Sequence, residues 1–276
     1  MIDSQDDSGG WPQYYPYGIG YFKNITFNDN AMPDIMESIY ALSNEKGLTD
    51  SGLCDDYAWA RTALKEQTNT YVKEFDLNSE KFTNAWDVAL KFVIDAQVVI
   101  DGTKTGWAQQ YDPAAATPTP IGGRGFELAS VSPDESLVVV KVLANIVNPS
   151  AEVKAAIEDY VAWIQTVGFT GYNQYTINDR TRELAKDKLL VKDGSDNKQF
   201  GRFYGLDTTG EYYGLDISEK MTDSKFYEIF AWRDSVPKLT LNYGMSERRI
   251  GYSYLRTSAD TKATAVLDSW KKALGE

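Results

Sequence analysis

Histidine is absent from this chain, so any acid, base or ligand role must fall to carboxylates, arginine, lysine, tyrosine or a hard metal ion. That one absence excludes a Ser-His-Asp triad, a Cys-His pair and His-ligated zinc. Cys54 is the only cysteine, which excludes an intrachain disulfide and leaves the redox compartment unread. Two segments then stand out by residue type. ITFNDNAM at residues 25–32 sets Asn28, Asp29 and Asn30 at the start of an apolar-periodic run. Such oxygens either cap a helix or offer the carboxylate and carbonyl ligands that calcium takes, and one Asp alone would not hold the ion. GGRGFELAS at residues 122–130 puts Arg124 between Gly123 and Gly125, which let backbone come close to a ligand. Its guanidinium reads equally as a carboxylate clamp or as the partner of Glu127 in a salt bridge.

Aromatic and amide side chains form a second group. Trp11 with Gln13, and Trp107 with Gln109, either flank sugar rings and bond their hydroxyls or plug the core between helices. Arg202 in GRFYGLD and Arg248-Arg249 in SERRIGYSY are further anion-binding candidates, or else structural ion pairs. The Asn24-Ile25-Thr26 sequon occurs often by chance, and DGSDN at residues 193–197 lacks the spacing of a calcium loop.

The elements that must position these residues begin with a repeat. GWPQYYP at residues 10–16 recurs as GWAQQYDP at residues 106–113. Ahead of the second copy, residues 84–97 place Ala85, Val88, Ala89, Phe92, Val93 and Ala96 at helical spacing, a helix feeding a Trp loop. Ahead of the first stands only MIDSQ, whose Ile2, Asp3 and Gln5 match Ile94, Asp95 and Gln97. The chain is therefore expected to begin at the end of a helix whose body is missing. Helices are predicted over residues 29–43, with Met32, Ile35, Met36, Ile39 and Tyr40 as its apolar stripe, and over 55–75. Ser132, Pro133 and Glu135 supply a cap, a first-turn proline and a capping-box acid for a buried helix that ends at Asn148-Pro149. A short turn then leads into an antiparallel partner at residues 151–166. Past Gly168, strand signals near 189–191 and 203–206 predict a small hairpin across Asp193-Gly194, and residues 260–274 are weakly helical. The expected fold class is all-α, a toroid of alternating inner and outer helices with long polar aromatic loops gathered at one mouth.

Length and charge bound the partners. The 276 residues suffice for one domain with a packed core. A net charge of -12 argues against nucleic acid. Aromatic residues make up 13% of the chain, which on an acidic surface suits polyhydroxylated ligands or bound cations. No apolar run reaches membrane-spanning length. The first ten residues lack the basic and apolar regions of a leader, so a cytoplasmic protein or an upstream leader is expected.

Taken in order, GGWPQYYP, ITFNDNAM, the TGWAQ stretch, RGFELAS, RFYGLD and SERRIGYSY resemble the pectate lyases of polysaccharide lyase family ten, over residues 9–254. The resemblance implies an (α/α)3 toroid, secretion, calcium dependence and β-elimination within polygalacturonate or pectin. It places Arg124 on the family's catalytic arginine, the proposed base, Asp29 at the calcium and substrate-carboxylate site, and Arg202 where a substrate carboxylate binds. An arginine base strains ordinary acidity, so electrostatic stabilisation by Arg124 with water as base stays open. Phe126 stands where members carry Tyr, and Ala108 and Gln110 where Cys and His are frequent. The family's Asp-Asn-Gly-Ala-Thr motif has no match here. A single catalytic domain over residues 1–276, N-terminally incomplete, is therefore expected, with Met32, Ile35 and Met36 exposed on an unfilled face and available for self-association. The rivals are a non-catalytic acidic-glycan binding protein of the same fold, or a toroid glycoside hydrolase with paired carboxylic acids.

Overall fold

The computed structural model describes residues 1–16, 18–43, 79–125, 127–176, 188–206 and 252–276. The helix expected at 55–75, the Arg248-Arg249 pair and Phe126 lie outside them. Among the described residues five helices dominate: α1 (Ala31–Ser43), α2 (Ser79–Asp95), α3 (Pro133–Ala144), α4 (Ala151–Thr166) and α5 (Ala259–Leu274). Among the described residues no helix is long and apolar enough to cross a membrane. Short antiparallel strands join the loops between them: β1 (Ile25–Thr26) with β4 (Gln110–Tyr111), β2 (Val99–Ile100) with β3 (Thr103–Lys104), β5 (Tyr172–Thr176) with β6 (Lys188–Lys192), and β7 (Gln199–Gly201) with β8 (Leu255–Thr257).

The apolar stripes meet as their periodicity requires. α3 is buried along most of its length and packs against α1, α4 and α5. Ser150 caps α4 by accepting from the Val153 N–H, and the Tyr160 hydroxyl reaches back to the Pro133 carbonyl at 2.9 Å. The end of α4 thus lies beside the start of α3, the expected antiparallel hairpin. α2 covers α1: Met32 and Met36 are buried, and the Tyr40 and Trp86 rings pack at 4.5 Å. The exposed self-association face expected at Met32, Ile35 and Met36 is therefore corrected, because α2 fills it.

The repeat is real at atomic detail. Trp11 Nε1 donates to the Met1 carbonyl at 3.0 Å, and Trp107 Nε1 to the Val93 carbonyl at 2.7 Å. Gln5 Nε2 spans the Gly9 and Ala85 carbonyls, just as Gln97 Nε2 spans those of Thr105 and Ala156. Each glutamine ties its own Trp loop to the helix of the next unit, α2 or α4. A further copy, unmarked by Trp, centres on Tyr204. Its hydroxyl accepts from Gly201 N and donates to the Val167 carbonyl, as the Tyr111 hydroxyl does with Ala108 N and the Ala96 carbonyl.

Two local expectations fail for physical reasons. No hairpin turns at Asp193-Gly194; both N–H groups donate to the Gly171 carbonyl, and residues 188–192 pair upstream with β5. The capping box of α3 is also different. The Ser132 hydroxyl donates to the Glu135 carboxylate, while the Ser132 N–H goes to the Trp107 carbonyl. Glu135 is thereby turned towards Arg202.

Candidate functional site

The loops at one end of the helices form a run of antiparallel pairings: Pro12 with Ile25, β1 with β4, Ala108 with Val131, Val131 with Tyr204, then β7 with β8. At this end α1 and α3 begin and α2 and α4 finish. Phe27, Phe92 and Tyr111 pack ring to ring, Phe92–Tyr111 at 5.6 Å and Phe27–Tyr111 at 5.7 Å, and pin the β1–β4 ribbon to α2. Two polar regions hang from that ribbon. Asp29 follows β1, and Arg124 follows β4 through a turn held by Ile121 N to the Gln110 carbonyl and by Asn24 to the Gly122 carbonyl.

The Asp29 corner is open. Asp29 and Asn30 are left-handed, with φ of 53° and 59°, so the helix starts only at Ala31. Asp and Asn tolerate that backbone better than other side chains. An N-cap residue needs an extended backbone, so capping does not explain Asp29. Its exposed carboxylate accepts from Gln13 Nε2 and from Asn28 Nδ2, each at 3.1 Å. Gln13 Oε1 is buried with no hydrogen-bond donor. A carboxylate beside an orphaned amide oxygen is the donor type a hard cation takes, which fits calcium in kind. It is lean in charge, since no group of three or more His, Cys, Asp or Glu side chains fit to hold a metal exists among the described residues.

The arginine cluster is closed. Arg124 grips Glu127 with both Nε, at 2.7 Å, and Nη2, and its own N–H adds a bond of 3.1 Å to the same carboxylate. The glycines before it serve this turn: Gly123 N donates to the Glu127 carbonyl at 2.8 Å, and a Cβ at Gly122 would press on that carbonyl. The Arg124 side chain stays 26% exposed, whereas Glu127 is buried. The Tyr252 hydroxyl donates to Glu127 Oε1 at 3.0 Å and accepts from Arg202 Nε at 2.8 Å. Arg202 extends to Asp134 at 2.7 Å and Glu135 at 2.8 Å, and Arg256 also binds Asp134. Arg202 is only 8% exposed, so the carboxylates on it are the protein's own.

Electrostatics follow from that geometry. The Glu127 hydrogen bond, opposed by burial, holds the Arg124 guanidinium more firmly protonated than usual. Burial pushes the Glu127 carboxyl up, but the Arg124 bond and charge outweigh it and leave it below the ordinary range. Burial likewise favours loss of charge at Arg202, and the fields of Glu135, Tyr252 and Asp134 overcome it. The Tyr252 phenol is driven up by burial, with Arg202 opposing.

Of the candidates, Arg124, Arg202, Asp29 and Gln13 gather at this loop end. Trp11 and Trp107 are corrected: both are 0% exposed, so their rings fill the core and cannot flank a sugar. Gln109 is buried too, and its Nε2 finds no acceptor. Glu127 and Glu135 enter the cluster by local signals, one three residues after Arg124 and the other in the α3 cap. Tyr252 reaches Glu127, and Arg256 reaches Asp134, across more than a hundred residues, and Asp134 meets Arg202 across 68, so no spacing marks these contacts.

A model of the pectic acid lyase family matches residues 1–262. The chain is also similar to the solved family 10 polysaccharide lyase from Cellvibrio cellulosa, with TM-score 0.63 and 24% identity over 99% of this chain and 69% of that one. An Asp-to-Ala mutant of a family 10 polysaccharide lyase from Cellvibrio cellulosa, in complex with trigalacturonic acid, gives TM-score 0.61 and 22% identity over 99% of this chain and 70% of that one. At those identities the likeness is one of fold. No curated protein sequence matches.

Proposed function

The chain belongs to the pectic acid lyase family, and we propose that it cleaves α-1,4-polygalacturonate by β-elimination with calcium as cofactor. The observation that carries this reading is the Arg124 guanidinium, partly exposed at the loop end yet clamped by Glu127, on the same ribbon as the Asp29 oxygens. In the reaction the proton on C5, next to the uronate carboxylate, leaves to a base. Its electron pair forms the C4=C5 double bond, and the glycosidic oxygen departs from C4 and takes up a proton. Charge building on the carboxylate oxygens needs a preorganised cation.

Arg124 suits that role as a cation. Glu127 strengthens its hold on the proton, which speaks for water or hydroxide as the acceptor of the C5 proton and against Arg124 as the base. Asp29 and Gln13 would hold calcium, whose contribution when bound is neutralisation of a uronate carboxylate. In the same reading the helices belong to an (α/α)3 toroid, supported by their alternating direction at the loop end, and a wall polysaccharide as substrate places the protein outside the cell.

The lack of any group of three or more acidic, Cys or His side chains fit to hold a metal among the described residues favours, as a second reading, a protein that binds acidic glycan without cutting it. Incubation with polygalacturonate and calcium decides between the two. Ultraviolet-absorbing 4,5-unsaturated product, lost on chelation, is the expected result. Retention on oligogalacturonate with no product at high protein load would replace the lyase reading with the binding one.

A further inference from the structure

Between the two arginines lies a side chain that the reaction as written does not use. The Tyr252 hydroxyl is bonded on both sides: it donates to the carboxylate that clamps Arg124 and accepts from Arg202. Its ring lies under both guanidinium groups, 5.7 Å from the Arg124 carbon and 5.8 Å from that of Arg202. Phe203 stacks on one side at an interplanar angle of 11°, and Tyr254 meets it edge-on at 4.9 Å. A ring fixed by two aromatic neighbours, with a hydroxyl tied at both ends, has little freedom to change the distance between the groups it joins.

We infer that Tyr252 is a positioning residue that sets the spacing and orientation of Arg124 relative to Arg202, and so aligns the guanidinium that meets the reacting uronate. This rests on the lyase reading above. Glu127 has two oxygens and several donors around them. Arg124 supplies Nε, Nη2 and its own N–H, and Tyr252 supplies the remaining bond. Removing the hydroxyl therefore does not discharge Glu127. It removes the hydroxyl bridge between the Arg124–Glu127 pair and Arg202 Nε. The chain of bonds then breaks in the middle while both ends keep their ion pairs. Misplacement of a catalytic cation by about 1 Å is enough to cost about a hundredfold in rate.

The test is Tyr252→Phe in the full chain, measured for kcat, KM and melting temperature on polygalacturonate with calcium. The inference expects kcat to fall about ten- to a hundredfold, with KM within about threefold and a melting temperature within a few degrees of the wild type. A purely structural tyrosine would lower the melting temperature and leave kcat per folded molecule unchanged, and that result overturns the inference. If Tyr252→Phe does not fold, Arg202→Lys reads the same link, since it removes the Nε donor to the Tyr252 hydroxyl while keeping a positive charge beside Asp134 and Glu135, and kcat should again fall about tenfold or more. Wild-type kcat in that variant is equally contrary. Should the wild-type protein itself give no unsaturated product, the lyase reading has failed separately, and trigalacturonate affinity of the same variants takes over as the readout. Weakening by about tenfold or more then supports positioning, and unchanged affinity overturns it.

Discussion

The Asp29 corner and the arginine cluster hang from the same two-stranded ribbon and treat charge in opposite ways. At Asp29 a left-handed backbone holds a carboxylate out in solvent, hydrogen-bonded among the described residues by two amide groups, with one buried amide oxygen left unmatched. Around Arg202 each charge is answered within the protein, by Asp134, Glu135, Arg256 and the Tyr252 hydroxyl. A region with open oxygens can change its occupant at small cost. A region whose ion pairs are already complete supplies rigidity and orientation. Arg124 stands at the border, complete on its Glu127 side and exposed on the other.

The comparison breaks first, if it breaks, at Arg202. Arg202→Ala leaves the buried Glu135 without its guanidinium, and loss of one partner from a buried pair costs about 3–5 kcal/mol. Chemical denaturation should show a loss of that order, and a loss below about 1 kcal/mol would mean that the cluster is not the frame described. At the border, Arg124→Ala should lower turnover by about a hundred- to a thousandfold with the fold retained. Arg124→Lys should fail similarly, since a point charge cannot replace the two-nitrogen grip on Glu127. Steady-state kinetics with circular dichroism would separate turnover from folding.

Acid sharpens the contrast. Glu127 is held below its ordinary value, near 4.3 in unfolded chains, so its stabilisation is complete above that range and is lost as pH falls through the depressed folded value. Glu127→Gln should be less stable than the wild type near neutrality, and the gap should close on acidification below about pH 4. A gap that stays constant with pH, read from melting temperatures, would exclude Glu127 as the titrating group. Asp29→Asn, by contrast, should alter stability by less than about 0.5 kcal/mol, as an exposed side chain with two weak neighbours does.

Local order carried much of the fold into the sequence. The Gly-Trp loops, the glutamine at each helix end and the apolar stripes of α3 and α4 are set by neighbours in the chain, and the matching bonds of Trp11 with Trp107 and of Gln5 with Gln97 follow from them. The Tyr204 unit carries no such local mark, because it keeps the tyrosine bonds of the repeat without the Gly-Trp pair. Asp193-Gly194 looks like a turn to its neighbours, but Gly171 claims both of its N–H groups from a distance. The candidate site is legible as a set of residue types, Arg124, Asp29 and Arg202. Which arginine is spent on its own protein depends on Asp134, Glu135 and Tyr252, and those contacts arise only when distant segments pack. The tryptophans were legible only as two alternatives, which burial decides in favour of the core.

The open corner and the closed cluster together predict a calcium-dependent elimination in which Asp29 governs the cation and not the fold. A calcium titration of unsaturated-product formation from polygalacturonate, run on the wild type and on Asp29→Asn, tests this most directly. The account predicts product in both, with half-saturating calcium raised by roughly tenfold or more in the variant, because a carboxylate ligand has been replaced by a neutral amide. Superimposable titrations of the two proteins, or no product from the wild type at any calcium concentration, would contradict it.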